Sequence, residues 1–203
     1  MIFGEAPALE WRELFDDDRP VEIEIGSGKG AFLIAAARAH PERNFLGIEI
    51  QGRWVRHIAD RLTRAPLANV RAFRGDGALI VRHFVRDESV AAYHVYFPDP
   101  WWKRRHAKRR VLTPALAGEM HRTLVAGGKV FLATDVADRF EWMLEAFAAH
   151  PFAIERHATR AAGWPETNFE TKYRREGRPL YYATAVKLPS GGCADVTPSQ
   201  NPS

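Results

Sequence analysis

The architecture of this chain is indicated most clearly by the stretch Val21-Glu22-Ile23-Glu24-Ile25-Gly26-Ser27-Gly28-Lys29-Gly30. Its first half is a short run with β-branched residues at alternate positions, which predicts a strand. The three glycines that follow predict a tight turn whose backbone can approach a ligand closely. A wholly apolar run from Ala31 to Ala37 then begins a helix. A strand, a glycine turn and a helix in this order indicate an α/β domain.

Strand and helix signals continue to alternate after this first unit, and this alternation predicts a mainly parallel sheet. Helical spacing of apolar residues predicts a helix over Arg53 to Arg64 and another after Asp135. Thr113 and Pro114 have the pattern of an N-cap followed by a first helical residue, so a helix is expected from there to about Leu124. The predicted strands are Val21 to Ile25, Phe45 to Glu49, Val70 to Arg74, Ala91 to Phe97, Lys129 to Thr134 and Leu180 to Val186.

Composition indicates one globular domain. The 203 residues include 46% apolar and 27% charged residues, with a net charge of +4 that favours a polyanionic partner. We expect one domain over residues 1–188 and a disordered tail over residues 189–203, which contain the single cysteine, Cys193. No apolar run approaches the ~20 residues of a membrane span and no signal pattern is present, so a cytoplasmic protein without a membrane partner is expected.

Acidic residues recur where the predicted strands end. Glu24 and Glu49 lie in the first and second strands, and Asp76, Asp99 and Asp135 follow the third, fourth and fifth. Carboxyl ends of parallel strands share one edge of a sheet, so we expect these carboxylates to meet there. Such a rim repels a pyrophosphate and suits a cation such as the sulfonium of S-adenosylmethionine. A nicotinamide dinucleotide site stays open as an alternative, although it prefers the longer spacing Gly-x-Gly-x-x-Gly.

A second informative stretch is Phe97-Pro98-Asp99-Pro100-Trp101-Trp102, which runs directly into a basic tract from Lys103 to Arg110. Six of the eight residues in that tract are Lys or Arg. Aromatic stacking surface and phosphate-binding charge beside one carboxylate are typical of an enzyme that acts on a base in a nucleic acid. The alternative interpretation is a solvated basic loop.

With these stretches identified, the chain resembles the bacterial tRNA (guanine-N7-)-methyltransferases of the TrmB family. The resemblance rests on Trp11 to Phe15, Glu24 to Gly30, Gly47 to Ile50, Tyr96 to Arg110, Ala133 to Asp135 and Thr167 to Tyr173. It implies a Rossmann-like class I fold that depends on S-adenosylmethionine, with a mainly parallel seven-stranded sheet and helices on both faces. Trp102 and Ala107 depart from the family pattern and affect only the expected shape of the basic loop.

The resemblance also implies a set of site residues and a tRNA partner, with guanine 46 of the variable loop as the target. The resemblance implies that Glu24, Glu49, Asp76 and Asp99 line the cofactor site, to which the glycine turn adds Gly26, Gly28 and Gly30. Those expected to face the substrate are Lys103, Asp135, Thr167, Asn168, Phe169 and Glu170, and those expected to contact RNA phosphates are Arg104, Arg105, Lys108, Arg109 and Arg110.

Guanine N7 carries a lone pair and no proton, so its methylation needs no general base, and alignment and electrostatics dominate. Asp99 is the predicted catalytic carboxylate because prolines on both sides restrict its backbone, with Asp135 as the alternative. No metal is expected, since the histidines lack ligand spacing. A non-catalytic RNA-binding module remains an alternative, and the sequence leaves monomer and homodimer equally open.

Overall fold

The computed structural model describes residues 7–98 and 112–189, which form seven strands and seven helices. The strands are β1 (Val21–Ile25), β2 (Asn44–Glu49), β3 (Val70–Arg74), β4 (Val90–Tyr96), β5 (Leu124–Thr134), β6 (Phe152–His157) and β7 (Tyr181–Lys187). The helices are α1 (Trp11–Phe15), α2 (Ala31–Ala39), α3 (Gly52–Arg64), α4 (Gly77–Phe84), α5 (Pro114–Thr123), α6 (Ala137–Ala148) and α7 (Asn168–Arg175).

All seven strands belong to one sheet with the order β3-β2-β1-β4-β5-β7-β6. Strands β1 to β5 pair in parallel, whereas β7 runs antiparallel to both β5 and β6. The strand order changes direction between β1 and β4, and in open α/β sheets the ligand crevice lies outside the carboxyl ends of the strands at such a point. The predicted mainly parallel seven-stranded sheet is confirmed.

Six of the seven strands were predicted. Their predicted starts and ends lie within one residue of those in the structure, except that β5 begins earlier than predicted. Gly127 and Gly128 precede the predicted start of that strand at Lys129, but they lie within β5, where the pairing register with β4 shifts. Strand β6 was missed altogether. Its run Phe-Ala-Ile-Glu-Arg-His is short and half polar because only β7 borders it, so it lacks the apolar signature of a central strand.

The two faces of the sheet are covered by different helices, as predicted. On one face, α4, α5 and α6 pack through residues such as Val81, Met120 and Phe147 against Ile23 and Val130. On the other face, α2 and α3 bury an apolar cluster against the sheet, formed by Phe32, Leu33, Ile58, Phe45 and Tyr96, with Trp164 packed against it. Trp164 comes from the connection between β6 and α7, so this connection acts as an additional layer over the centre of the sheet.

Within the two described ranges, no helix combines the length and the apolar character that a membrane crossing requires.

Candidate functional site

The glycine turn between β1 and α2 adopts a backbone that side chains disfavour. Gly26, Gly28 and Gly30 all have positive φ, at 79°, 51° and 68°. A Cβ at Gly26 or Gly28 would have no heavy atom within 4 Å, so the space beside these two residues is open to a ligand. At Gly30 the requirement is different, since a Cβ there would come within 2.6 Å of Ile58 Cγ1 on α3.

Glu49, the last residue of β2, holds this turn from the neighbouring strand. Its Oε2 accepts a hydrogen bond from the backbone N–H of Gly28 at 2.8 Å, and its Oε1 accepts one from the N–H of Gln51 at 2.8 Å. The residue is 7% exposed. Each carboxylate oxygen has a second lone pair, so Glu49 can order the turn and still accept a hydroxyl donor from a ligand.

Glu24 lies one strand over, in β1, and its carboxyl group is buried with an unsatisfied oxygen. Oε2 has no hydrogen-bond partner among the described residues. Burial raises the pKa of Glu24 to about 8, the Ser27 hydroxyl and the positive charge of Arg160 lower it, and the charge of Glu49 raises it. A buried acceptor without a donor costs about 1 to 3 kcal/mol, and a cationic or N–H ligand group would relieve that cost.

Replacing Glu24 with Gln is expected to make the protein more stable at pH 8. The folded-state pKa of about 8 lies above the ordinary value of 4.5, so the stability of the wild type falls as pH rises from 4.5 to 8. The loss is at most about 4 kcal/mol. Urea unfolding at pH 5 and pH 8 should show a smaller difference for the variant, while Glu155→Gln, on the exposed side of β6, should behave as wild type. Equal pH dependence of Glu24→Gln and wild type contradicts the assignment.

Asp76 follows β3 at the same edge of the sheet and caps α4. Its Oδ1 accepts hydrogen bonds from the N–H groups of Ala78 at 2.8 Å and Leu79 at 3.3 Å. Two large apolar side chains near these acids are exposed to solvent, which is unusual for their type: Ile50 is 63% exposed and Leu79 is 47% exposed. Neither residue was predicted as part of the site, although Ile50 directly follows Glu49 and Leu79 lies in the first turn of the helix that Asp76 caps.

The carboxyl end of β4 carries a second part of the site. Phe97 has a φ of 48°, a left-handed conformation that is unfavourable for a bulky residue and typical of functional turns. Its ring contacts Tyr173 and Phe169 of α7, with ring centroids 5.6 and 6.0 Å apart. Phe169 is half exposed. The predicted substrate segment therefore lies next to the chain just before Asp99.

Asp135, after β5, completes this end of the sheet. Its side chain is 7% exposed, and Oδ2 lies 3.1 Å from Nη1 of Arg178. Arg139 lies at 4.0 Å from the other oxygen. Two guanidinium groups therefore already compensate much of the negative charge of Asp135.

The N-terminus of α7 is held by a reciprocal capping box. The Thr167 hydroxyl accepts from the N–H of Glu170 at 3.0 Å, and Oε2 of Glu170 accepts from the N–H of Thr167 at 2.9 Å. Glu170 was predicted to face the substrate, but its carboxylate is fully buried. It accepts hydrogen bonds from both Arg160 and the Tyr182 hydroxyl, with Arg160 Nε at 2.8 Å, whereas Asn168 next to it is exposed.

A polar network that the sequence analysis did not find lies under Trp164 on the same face. Buried His94 contacts Glu22 through Nε2 at 2.7 Å and the Tyr96 hydroxyl through Nδ1 at 2.8 Å. Arg43 pairs with the other oxygen of Glu22. Burial lowers the pKa of His94 more than Glu22 raises it, so the ring is neutral and Arg43 compensates the carboxylate. Nothing local in the sequence links these residues.

The remaining predicted site residues lie outside the described residues. They are Asp99, Lys103, Arg104, Arg105, Lys108, Arg109 and Arg110. The described chain ends before this segment at Pro98, one residue after Phe97, which contacts α7, and resumes at the fully buried Leu112. In the described ranges no group of three His, Cys, Asp or Glu side chains is placed to hold a metal ion.

Comparison with known proteins covers almost the whole described fold. Residues 18–183 match the family described as "Putative methyltransferase". The tRNA (guanine-N(7)-)-methyltransferase of Rhodopirellula baltica is 38% identical over 180 residues, which cover 83% of this chain and 66% of that protein. The enzyme of the same name from Myxococcus xanthus is 36% identical over 190 residues and 88% of both chains.

Solved structures extend the likeness to the fold. The crystal structure of the 16S rRNA methyltransferase KamB superposes with a TM-score of 0.65 over 88% of this chain and 93% of that one, at 17% identity. This likeness shows the methyltransferase fold, and the predicted fold class is confirmed.

Proposed function

Since the chain belongs to the family of tRNA (guanine-N(7)-)-methyltransferases, we propose that it transfers a methyl group from S-adenosylmethionine to N7 of guanine in tRNA. The observation that carries this proposal is the open glycine turn at the carboxyl end of β1, bordered by the acidic side chains of Glu24, Glu49 and Asp76. Such a rim repels phosphate and accepts hydroxyl and cationic groups.

The residues at this edge fit S-adenosylmethionine, which supplies an electrophilic methyl group on a sulfonium sulfur. The turn at Gly26 and Gly28 leaves room for the cofactor, and Glu49 accepts hydrogen bonds from its ribose hydroxyls. Ile50 and Leu79 provide apolar surface for the adenine ring. The unsatisfied oxygen of Glu24 receives the cationic end, which offsets the cost of its burial.

The substrate base enters from the β4 and β5 side. The exposed ring of Phe169, fixed against Phe97, gives the base a stacking surface, which contributes about 1 to 3 kcal/mol. Glu170 positions this surface from inside the protein through the capping box with Thr167. Asn168 and Asp135 lie at the same end of the sheet and face the substrate in this proposal. Lys103 is assigned the same role.

The chain supplies alignment and charge in this reaction, and no general base, because guanine N7 carries no proton. Asp99 stabilises the positive charge that develops on the base. Arg104, Arg105, Lys108, Arg109 and Arg110 contact tRNA phosphates. By resemblance the methylated nucleotide is guanine 46 of the variable loop of the tRNA. The protein forms a single domain over residues 1–188 and acts in the cytoplasm.

The test is mass spectrometry of tRNA incubated with the protein and S-adenosylmethionine. We expect N7-methylguanosine to appear among the nucleosides released from the tRNA. We also expect aniline to cleave the tRNA strand at guanine 46. Methylation at another guanine atom or in another RNA class overturns the proposal. Binding of tRNA without any methylation would indicate a non-catalytic RNA-binding module, and calorimetry with NAD tests the dinucleotide alternative.

Replacing Glu49 with Gln is expected to weaken binding of S-adenosylmethionine by about 1 to 3 kcal/mol, or roughly 5- to 150-fold, since a charged acceptor for the ribose hydroxyls is lost. Calorimetry measures the affinity, and circular dichroism confirms that the turn and sheet persist. Asp18→Asn, which removes an exposed carboxylate near α1, is the control. An affinity equal to wild type would remove Glu49 from the cofactor site.

A further inference from the structure

A basic surface runs along α3, beside the glycine turn and outside the tract Lys103 to Arg110. We call it the α3 surface, and it consists of Lys29, Arg53, Trp54, Arg56, Arg61 and Arg64. Arg61 connects the helix to the turn, because its Nη1 donates to the backbone oxygen of Lys29 at 3.0 Å. Trp54 also touches the turn, with Lys29 Nζ 5.1 Å from its ring centroid.

The cations of the α3 surface lack carboxylate partners among the described residues. Several arginines elsewhere are paired with carboxylates, for example Arg122 with Glu119, Arg156 with Glu141 and Arg174 with Glu166, although scattered single arginines such as Arg82 are not paired within the described ranges. Asp60, the one acid on α3, makes no ion pair within the part of the chain that the structure describes. The surface therefore concentrates positive charge that the fold leaves uncompensated.

Helix stability does not explain this arrangement. The N-terminus of a helix carries a partial positive charge, so acidic side chains are favoured in its first turn and cations are unfavourable by about 0.3 to 1 kcal/mol each. The first turn of α3 has no acid and contains Arg53. Arg53 and Lys29 both lie against the ring of Trp54, at 4.6 and 5.1 Å, which holds two like charges in fixed positions.

The α3 surface is joined to the proposed cofactor site by direct contacts. Arg53 Nε donates to Oε1 of Gln51 at 3.0 Å, and the N–H of Gln51 donates to Glu49. A polyanion on this surface would thus lie alongside the bound cofactor. At 1.5 Å per residue, the 13 residues of α3 extend this surface about 20 Å from the site.

A membrane surface is a poorer partner than RNA. A helix that lies on a membrane needs exposed apolar side chains next to its cations. The exposed large apolar residues in the described ranges are Ile50, Leu79, Phe169 and Leu188, and none of them belongs to α3. The apolar side of α3 faces inward, where Ile58 is fully buried.

We propose that the α3 surface binds the sugar-phosphate backbone of the tRNA at a distance from the methylated base. This inference rests on the proposed function for the identity of the RNA. It assigns to α3 a contact that extends the RNA-binding face past the glycine turn, so that tRNA is held on both sides of the cofactor.

The test compares the double variant Arg53→Gln/Arg56→Gln with the control Arg12→Gln/Arg82→Gln. Both remove two positive charges from exposed helix positions, and the control residues lie on α1 and α4, which pack on the opposite face of the sheet. Fluorescence anisotropy with unmodified tRNA is measured across a salt series. Each lost phosphate contact lowers the slope of log affinity against log salt by about 0.7 to 0.9, so the α3 variant should lose about 1.4 to 1.8 and the control much less.

Equal slopes for the α3 variant, the control and wild type would overturn the proposal and make the α3 surface a solvated helix face. The same holds if the α3 variant keeps its tRNA slope and loses binding to vesicles of phosphatidylserine and phosphatidylcholine. The proposed function is tested separately, by formation of N7-methylguanosine with the wild-type protein. That result does not depend on the salt slope measured for the α3 variant. Calorimetry with S-adenosylmethionine should give the same affinity for the control and wild type.

Discussion

An Asp99→Asn variant is expected to bind S-adenosylmethionine and tRNA with near wild-type affinity and to methylate guanine N7 about a hundred to a thousand times more slowly in single turnover. The loss of one preorganised electrostatic group costs on the order of 3 to 4 kcal/mol in the transition state. Asp99 follows Phe97, whose left-handed backbone and contact with α7 fix the direction in which the chain leaves β4. The rate is measured at saturating cofactor and tRNA.

Asp135→Asn is the matched comparison. Arg178 and Arg139 already face that carboxylate, so its charge is less available to a cationic base, and the saturated rate should fall less than for Asp99→Asn. A larger loss for Asp135→Asn assigns the electrostatic role to Asp135. A saturated Asp99→Asn rate within about threefold of wild type, with weaker cofactor binding, would instead make Asp99 a cofactor ligand.

Replacing Arg160 with Ala is expected to reduce the free energy of unfolding by about 3 to 5 kcal/mol near pH 7, because it leaves the buried Glu170 carboxylate without its counter-charge. Arg160 also stacks on the ring of Tyr96, 4.4 Å from its centroid, so packing is lost as well. Urea unfolding followed by tryptophan fluorescence measures the change. The double variant Arg160→Met/Glu170→Gln removes both charges and should be less destabilised than Arg160→Ala.

The dependence on pH distinguishes a lost charge pair from lost packing. Burial raises the pKa of Glu170, but Arg160 and the N–H of Thr167 outweigh it and hold the pKa below the ordinary value of 4.5. The pair therefore stabilises the wild type above pH 4.5, and this contribution is lost as pH falls through the lowered pKa. In Arg160→Ala the burial of Glu170 is no longer offset by Arg160, so the pKa of Glu170 is higher in the variant than in the wild type. The difference in stability between wild type and Arg160→Ala should therefore shrink as the pH is lowered, starting at a pH above the wild-type pKa of Glu170. A difference independent of pH would attribute the effect to packing.

Local patterns were sufficient for most of the fold. The strand before the glycine turn could be predicted from Val21, Ile23 and Ile25, and the start of α5 from Thr113 and Pro114, since both signals lie within a few residues. Strand β6 could not be predicted, because an edge strand pairs along one side only and need not be apolar throughout. Its place in the sheet depends on β7, which lies later in the chain. The glycines inside β5 misled for a related reason, as they sit at an irregularity that pairing with β4 creates.

The grouping of Glu24, Glu49 and Asp76 at one edge of the sheet was predictable because they lie at or directly after strand ends, where the topology gathers them. Glu24 and Glu49 lie where expected, but the unsatisfied oxygen of Glu24 depends on packing that no motif encodes. The environment of Glu170 was not predictable either. Its partners are Arg160, ten residues before it, and Tyr182 on the last strand. Asp99 and the basic tract lie outside the described residues, so their roles stay predictions.

The position of β7 has a consequence for how the chain folds during synthesis. β7 follows β5 and β6 in the chain, yet it lies between them, so β6 reaches the sheet only through β7. While the ribosome is still making residues before Tyr181, β5 presents an open edge and β6 has no partner. Unpaired edges of this kind favour aggregation. A nascent chain that stalls before β7 therefore exposes a parallel core with a reactive edge, and chaperones would be needed most during this interval.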